Sequence, residues 1–220
     1  MTTQAGGRRY GGRSGAERSA ERRDALLDAA FRIVAAEDWH ALRIDALCRE
    51  AGLSKRYFYE EFGNLDDLAT ALVGRLGDEL IAVTVAGVER DPTPTGLVRA
   101  ALDPFLAHLA DDPRRARVLF GAVPGDGDAA RRRDEVLRRV MAAAIGLGVE
   151  ILGAARGPTV DVGASFLVGG TVQAVLDWLA VPEPRATDAL ADDLAALWQA
   201  VVDATFPAPA SSARGDRLTP

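Results

Sequence analysis

At 220 residues, 48% of them hydrophobic, the chain is long enough for one large helical domain or for a small domain joined to a larger one. A formal charge of −6 argues against a generic cationic nucleic-acid coat, and a lone cysteine, Cys48, excludes an intrachain disulfide and fits a reducing cytosol. The charge is uneven, with 11 basic and 9 acidic side chains in residues 1–60 against 15 and 23 in residues 61–220.

Residues 1–17 are rich in Gly, Arg and Ser and read as a disordered basic arm, whose Arg8, Arg9 and Arg13 either enter a minor groove or stay solvated. The segment lacks the apolar core of a signal peptide. A first helix is expected from Ala16 or Glu17 to Glu37, with Leu27, Ala30, Phe31 and Val34 on one face. Next comes Leu42 to Phe62, LRIDALCREAGLSKRYFYEEF, which reads as two short helices about a glycine turn. Ile44, Leu47 and Cys48 form one apolar stripe, which makes Cys48 a buried structural thiol. Gly52 stands where a helix stop wants positive φ, Leu53 turns back onto the core, and the Ser54 hydroxyl is placed to cap a second helix from about Lys55. In that helix Phe58 and Phe62 share the buried face and leave Lys55, Arg56, Tyr57 and Tyr59 to a partner. Two cations and two phenols suit phosphates and base edges, so the segment reads as a helix-turn-helix. Of 26 basic residues one is a lysine, and it is Lys55.

From about Arg22 to Leu76 the chain resembles the N-terminal domain of the TetR (tetracycline-repressor) family. The resemblance rests on a first helix, the helix-turn-helix, and Ala51-Gly52-Leu53-Ser54 followed by Phe58-Tyr59 and Phe62. It implies that Lys55, Arg56 and Tyr57 read bases and that Tyr59 holds a phosphate, with Arg43 and Ser54 as further DNA contacts. The chain departs from the usual pattern at Arg43, where Thr is common, and at Leu65, where Lys is common. Glu60 and Glu61 also depart from it, and two carboxylates near phosphates weaken binding unless they face solvent or accept from a cytosine amino group.

Leu68, Leu72, Leu76, Leu80 and Val83 mark a long amphipathic helix from Leu65 to about Arg90, a natural lever between the two halves. Asp91-Pro-Thr-Pro breaks it, and helices follow near Thr95–Ala110 and Pro113–Ala122. A loop at Pro124–Asp128 leads into a long helix to about Ala155, stopped by Gly157-Pro158. The last two helices, Thr159–Ala180 and Thr187–Phe206, carry an expected dimer interface: Gly163, Phe166, Gly170 and Ala174 on the first, Leu190, Leu194, Leu197 and Val201 on the second. Two such helices from each subunit can form a four-helix bundle, as TetR-like regulators do, and the alternative is closure of a monomeric core. The apolar run Val162–Val181 is interrupted by Gln173 and Asp177 and is not read as a membrane span.

Sparse large side chains among Ala, Val, Leu and Gly incline a bundle to enclose a cavity, and Phe105, His108, Phe120, Met141 and Trp178 are the candidate ligand contacts. No catalytic or metal constellation is evident. His40 and His108 have no partner at ligand spacing, Gly125–Asp128 lacks the Glu of a calcium loop because the twelfth position is Leu137, and neither a phosphate loop nor a Gly-x-Ser-x-Gly elbow occurs. Arg131–Arg133 and Asp192-Asp193 read as solvated charge runs, with an acidic ligand or partner as the alternative for the arginines.

The expectation is an all-α, cytoplasmic, non-enzymatic regulator without a cofactor. It comprises the arm 1–17, a helix-turn-helix domain 18–64, a helical ligand-binding and dimerisation domain 65–206 and a disordered tail 207–220. A homodimer would bind an inverted-repeat operator in double-stranded DNA and be released by a small, largely apolar effector. An activator is the alternative within regulators. From another class, the alternative is a helical small-molecule-binding or catalytic protein that keeps the fold without operator binding.

Overall fold

The computed structural model describes residues 14–93, 96–121, 128–152 and 157–205. Within them are nine α-helices and no strand: α1 Gly15–Ala36, α2 Ile44–Ala51, α3 Lys55–Glu61, α4 Leu65–Arg90, α5 Leu97–Asp111, α6 Arg114–Phe120, α7 Asp128–Leu152, α8 Pro158–Ala180 and α9 Thr187–Thr205. A 3-10 turn, Trp39–Ala41, joins α1 to α2.

Local chemistry sets the boundaries. At the start of α1 the Glu17 amide donates to Ser14 Oγ (3.1 Å) and the Ser14 amide donates to Glu17 Oε2 (2.6 Å), a reciprocal capping box. The expected arm of 1–17 therefore ends too late: residues 15–17 are helical, and the three arginines of the arm lie outside the described residues. Asp38 caps the 3-10 turn by accepting from the His40 and Ala41 amides. Gly52 has φ 66°, the Gly52 amide donates to the Arg49 carbonyl, and the Leu53 amide donates to the Cys48 carbonyl, which together close α2 in a Schellman turn. Asn64 caps α4 through the Asp67 amide (2.9 Å), and Asp66 and Asp67 place negative charge on its first turn. The expected loop at Pro124–Asp128, already set aside as a calcium site, lies outside the described residues except for Asp128.

The helices α1, α2 and α3 pack on one another at one end. At the other end α4 lies against α5 and α7, α9 against α5 and α8, and α7 against α8. One continuous buried cluster, from Leu26 of α1 to Leu194 of α9, runs through both groups, and α4 contributes Leu68, Leu72, Val73, Leu76 and Leu80 to it. Two close helix crossings depend on glycine. A Cβ on Gly77 of α4 would lie 2.6 Å from both γ-carbons of Val136 on α7. A Cβ on Gly87 would lie 2.2 Å from the Ala100 carbonyl oxygen of α5. That carbonyl faces α4 in a helix where Pro104 has no amide to offer it, so the crossing is tight because of a proline on one side and a glycine on the other.

Arg132 and Arg133 are not simply a solvated run. Arg132 lies against Gly74 of α4, and Arg133 donates to the Gly121 carbonyl just beyond α6 (3.2 Å). Asp192 accepts from Arg99 (2.7 Å) and ties α9 to α5.

Candidate nucleic-acid interface and apolar cavity

The helix α3 has a buried side and an open side. Phe58 is fully buried and Phe62 nearly so, with ring centroids 6.2 Å apart. Lys55, Arg56, Tyr57 and Tyr59 are exposed, Tyr59 to 58%. The two cations have carboxylate partners: Lys55 Nζ lies 2.6 Å from Asp45 Oδ1, and Arg56 Nε donates to Glu60 Oε1 at 2.9 Å. The hydrogen bond that Lys55 donates to Asp45, together with the Asp45 charge, holds the Lys55 ammonium above its ordinary pKa, and Glu60 does the same for Arg56.

Ser54 does not play its expected capping role, and Arg43 is engaged by backbone carbonyls. Ser54 occupies the N-cap position of α3, but its hydroxyl makes no capping bond; the helix is instead opened by its carbonyl, which accepts from the Phe58 amide (3.2 Å). Arg43 opens α2, and its guanidinium folds back to donate to the Leu42 carbonyl (2.9 Å) and the His40 carbonyl, at the end of the 3-10 turn. His40 itself is exposed there beside the buried Trp39.

Glu61 is the residue whose role the sequence did not disclose. Its side chain is 6% exposed and faces α1: Arg22 Nε and Nη2 donate to Oε1 (3.0 and 2.7 Å), and the Ser19 hydroxyl donates to Oε2 (2.7 Å). Arg23 donates to the Glu61 carbonyl (3.1 Å), satisfying an orphan carbonyl at the end of α3, and stacks over Phe62 at 4.2 Å. Arg22 also lies 4.9 Å over the Tyr57 ring. The far end of α3 is thus clamped to α1 while its near end stands open. The signal was present in the spacing, since Glu61 follows Phe58 by three residues and so shares its buried face.

A cavity of about 150 Å³ lies among α4 to α9. Phe105 and Phe120 line it as expected; His108 and Trp178 do not. Trp178 is buried elsewhere, its indole N–H donating to the Arg185 carbonyl (2.8 Å) in the turn before α9. His108 is half-buried, and burial together with the nearby Arg115 charge lowers its pKa. The side chain of Met141 lies outside the described residues. Thr171 and Trp198 were not foreseen: both line the cavity, and the Trp198 indole N–H donates to Thr171 Oγ1 (2.9 Å).

The expected dimer residues divide between inside and outside. Gly163 and Val201 line the cavity, Leu190 and Leu194 are buried in the chain's own core, and Ala174 packs against that core. Phe166 (69%), Gly170 and Leu197 (61%) are exposed, beside Val162 (69%). At about 100° per residue, the buried sector of α9 is centred between Leu194 and Trp198, which leaves Leu197 at its edge. Among the described residues α8 alone is long and apolar enough to cross a membrane, and on its exposed side Gln173 donates to Asp177 (2.8 Å). No group of three or more His, Cys, Asp or Glu among the described residues is placed to hold a metal ion.

These features define an all-helical protein with an N-terminal helix-turn-helix and a helical bundle that encloses an apolar cavity. Residues 26–72 match the model of the bacterial regulatory proteins of the tetR family. The chain is 32% identical over 107 residues to the HTH-type transcriptional regulator AlkX of Mycobacterium tuberculosis, covering 47% of this chain and 50% of that protein. It is 29% identical over 116 residues to the HTH-type transcriptional activator FasR of Mycolicibacterium smegmatis, covering 53% and 52%. The chain thus spans about half the length of the curated relatives it matches. The crystal structure of the transcriptional regulator FadR from Bacillus subtilis in complex with stearoyl-CoA shares the fold over 84% of this chain and 97% of that one, with a TM-score of 0.62 and 18% identity. Residues 26–72 are thus similar to the N-terminal domain of the TetR family, and the chain shares its fold with the FadR structure.

Proposed function

We propose that this protein is a sequence-specific DNA-binding transcriptional regulator that binds an inverted-repeat operator as a homodimer and is released by a small, largely apolar effector. The observation that carries the reading is α3: Phe58 and Glu61 fix one side against α1, and Lys55, Arg56, Tyr57 and Tyr59 are exposed on the rest. Arg56 suits a guanine edge and Tyr59 a phosphate. The exposed Ser54 hydroxyl and the remaining Arg43 donors suit flanking phosphates.

Dimerisation is supported by the exposed apolar face of Val162, Phe166, Gly170 and Leu197. Such a patch on α8 and α9 suits a second copy of the chain better than solvent. A dimer sets two α3 helices to meet successive major grooves ~34 Å apart. The effector site is the cavity, whose lining is almost wholly aliphatic and aromatic. Repression is the primary reading. Activation is the second, favoured by the relative named as an activator.

The test is a titration of the purified protein against the intergenic DNA flanking its own gene, at two salt concentrations and beside a scrambled duplex, followed by an unbiased selection from genomic fragments. Selective binding that weakens with salt is expected, with Lys55→Ala and Arg56→Ala each losing roughly ten- to a hundredfold in affinity and keeping the fold. Unchanged DNA affinity in both variants refutes the assignment of α3. Failure of both the flanking DNA and the genomic selection refutes the regulator reading.

A further inference from the structure

The cavity has an unused hydrogen-bond donor. Of the described side chains that line it, Thr84, Thr171 and Trp198 carry polar atoms and none is charged. The Thr84 hydroxyl is spent within its own helix, donating to the Leu80 carbonyl at 2.8 Å. The Trp198 indole N–H is spent on Thr171 Oγ1. Thr171, 6% exposed, accepts that bond, which leaves its own O–H proton to place. A helical Thr or Ser normally gives this proton to the carbonyl four residues back, as Thr84 does here and as Ser165 does to Asp161 at 2.9 Å. The Thr171 hydroxyl makes no hydrogen bond as donor to any described residue. A buried hydroxyl whose donor is unmatched costs stability that an apolar residue would avoid, and a polar residue in such a lining is explained by what it binds.

We infer that the cavity takes an uncharged ligand bearing a hydrogen-bond-accepting oxygen, such as a ketone, ester or ether, and that the Thr171 hydroxyl is the group that binds it. The inference rests on the proposed reading of the cavity as the effector site and adds the ligand's chemical class to it. The Trp198 indole occupies one lone pair of Thr171 Oγ1, so the hydroxyl proton points elsewhere, and the cavity that Thr171 lines is open to it. A free carboxylate is disfavoured because no cation among the described lining residues would pair with it once dehydrated. At about 150 Å³ the space matches cavities lined by Leu, Ile and Phe that admit benzene, so a chain or ring of about six carbons is the appropriate probe.

Calorimetric titration of the full chain with methyl pentyl ketone, with the alkene in which a methylene replaces the carbonyl oxygen, and with hexanoate tests this directly. Thr171→Val should weaken the ketone by about tenfold relative to the alkene, Thr171→Ser should keep the wild-type ratio, and hexanoate at neutral pH should bind at least about tenfold more weakly than the ketone. A second readout needs no variant: the infrared carbonyl stretch of isotope-labelled ketone should fall, on binding to wild-type protein, below its value in an alkane solvent. A ketone-to-alkene ratio unchanged in Thr171→Val, or an unshifted carbonyl stretch, overturns the Thr171 assignment and leaves the apolar site standing. If neither ketone nor alkene binds the wild type, the effector-site reading falls and this inference falls with it.

Discussion

Replacing Glu61 by Gln should destabilise the helix-turn-helix without touching the surface proposed to read DNA. The carboxylate is nearly buried and takes three charge-assisted or hydroxyl hydrogen bonds, two from Arg22 and one from Ser19. Breaking a fully buried pair typically costs about 3–5 kcal/mol. Here Arg22 is 23% exposed and regains some water, and Gln keeps one acceptor oxygen, so about 2 kcal/mol is the reasoned loss. For a chain of this length that amounts to roughly 4–8 °C in melting temperature. The assay is circular dichroism on heating, with operator affinity measured well below the transition. Glu60→Gln is the internal control: Glu60 is 39% exposed, pairs with the exposed Arg56 and lies at the 3.9 Å margin of Arg22, so its melting temperature should stay close to the wild-type value. Equal melting of Glu61→Gln and wild type would refute the clamp, and equal loss in both variants would refute the distinction drawn between the two neighbouring carboxylates.

Gly87→Ala should destabilise by about 1–3 kcal/mol, since the new methyl meets a backbone carbonyl on α5 that cannot swing aside; a wild-type urea midpoint would contradict the crossing described. Gly170→Leu should leave the subunit folded, because nothing lies within 4 Å of its Cβ position, yet should separate the proposed dimer; sedimentation as an intact dimer would remove α8 from the interface. His108 has a folded-state pKa lowered, first by burial and then by Arg115, so the unfolded chain binds the proton more readily and stability falls as pH drops through the ordinary value of 6.5 and below. His108→Gln should flatten the denaturation midpoint between pH 7 and 5, and an unchanged pH slope would show that this imidazole does not contribute.

Helix existence was legible because caps and breakers agreed with period: Gly157-Pro158, Thr187 and Asp91-Pro92 bound observed helices to within a few residues of expectation. The open face of α3 was legible for the same reason, as Phe58 and Phe62 fix its rotation. What the sequence withheld depended on neighbours. The stripe Leu190, Leu194, Leu197, Val201 spans too narrow an arc to say whether its buried centre lies toward Leu197 or Trp198, and α5 and α8 decide it. Trp178 and Trp198 are chemically alike, but one indole meets a carbonyl of its own connecting turn and the other meets a hydroxyl across two helices. Ser54 resembled a capping residue in composition while its hydroxyl does no capping, because cap preference is a statistical property and side-chain rotamer is a local one.

Packing through α1 links the cavity to the open face of α3, beside the short chain segment 62–64 that joins α3 to α4 and the contact of α3 with α2. The C-terminal half of α4, from Leu80 to Val88, lines the cavity, and its N-terminal half holds α1 through Leu68 and Leu72 in the core and through Arg75, which donates to Asp28 at 2.8 Å. A second route runs from Phe120, at the cavity, along α6 to Arg114, whose guanidinium lies 5.4 Å over Phe31 of α1. From α1, Arg22 and Arg23 grip the end of α3. On the proposed function, an effector that parts α4 from α5 or α7 moves α1 and α3 as one body, because the Glu61 clamp forbids α3 from lagging behind. The coupling should then be reciprocal, operator DNA weakening the effector by the factor that the effector weakens DNA. Loosening the clamp with Glu61→Gln should shrink that factor in both directions while leaving the effector's affinity for DNA-free protein unchanged, which separates a broken transmission from a damaged cavity.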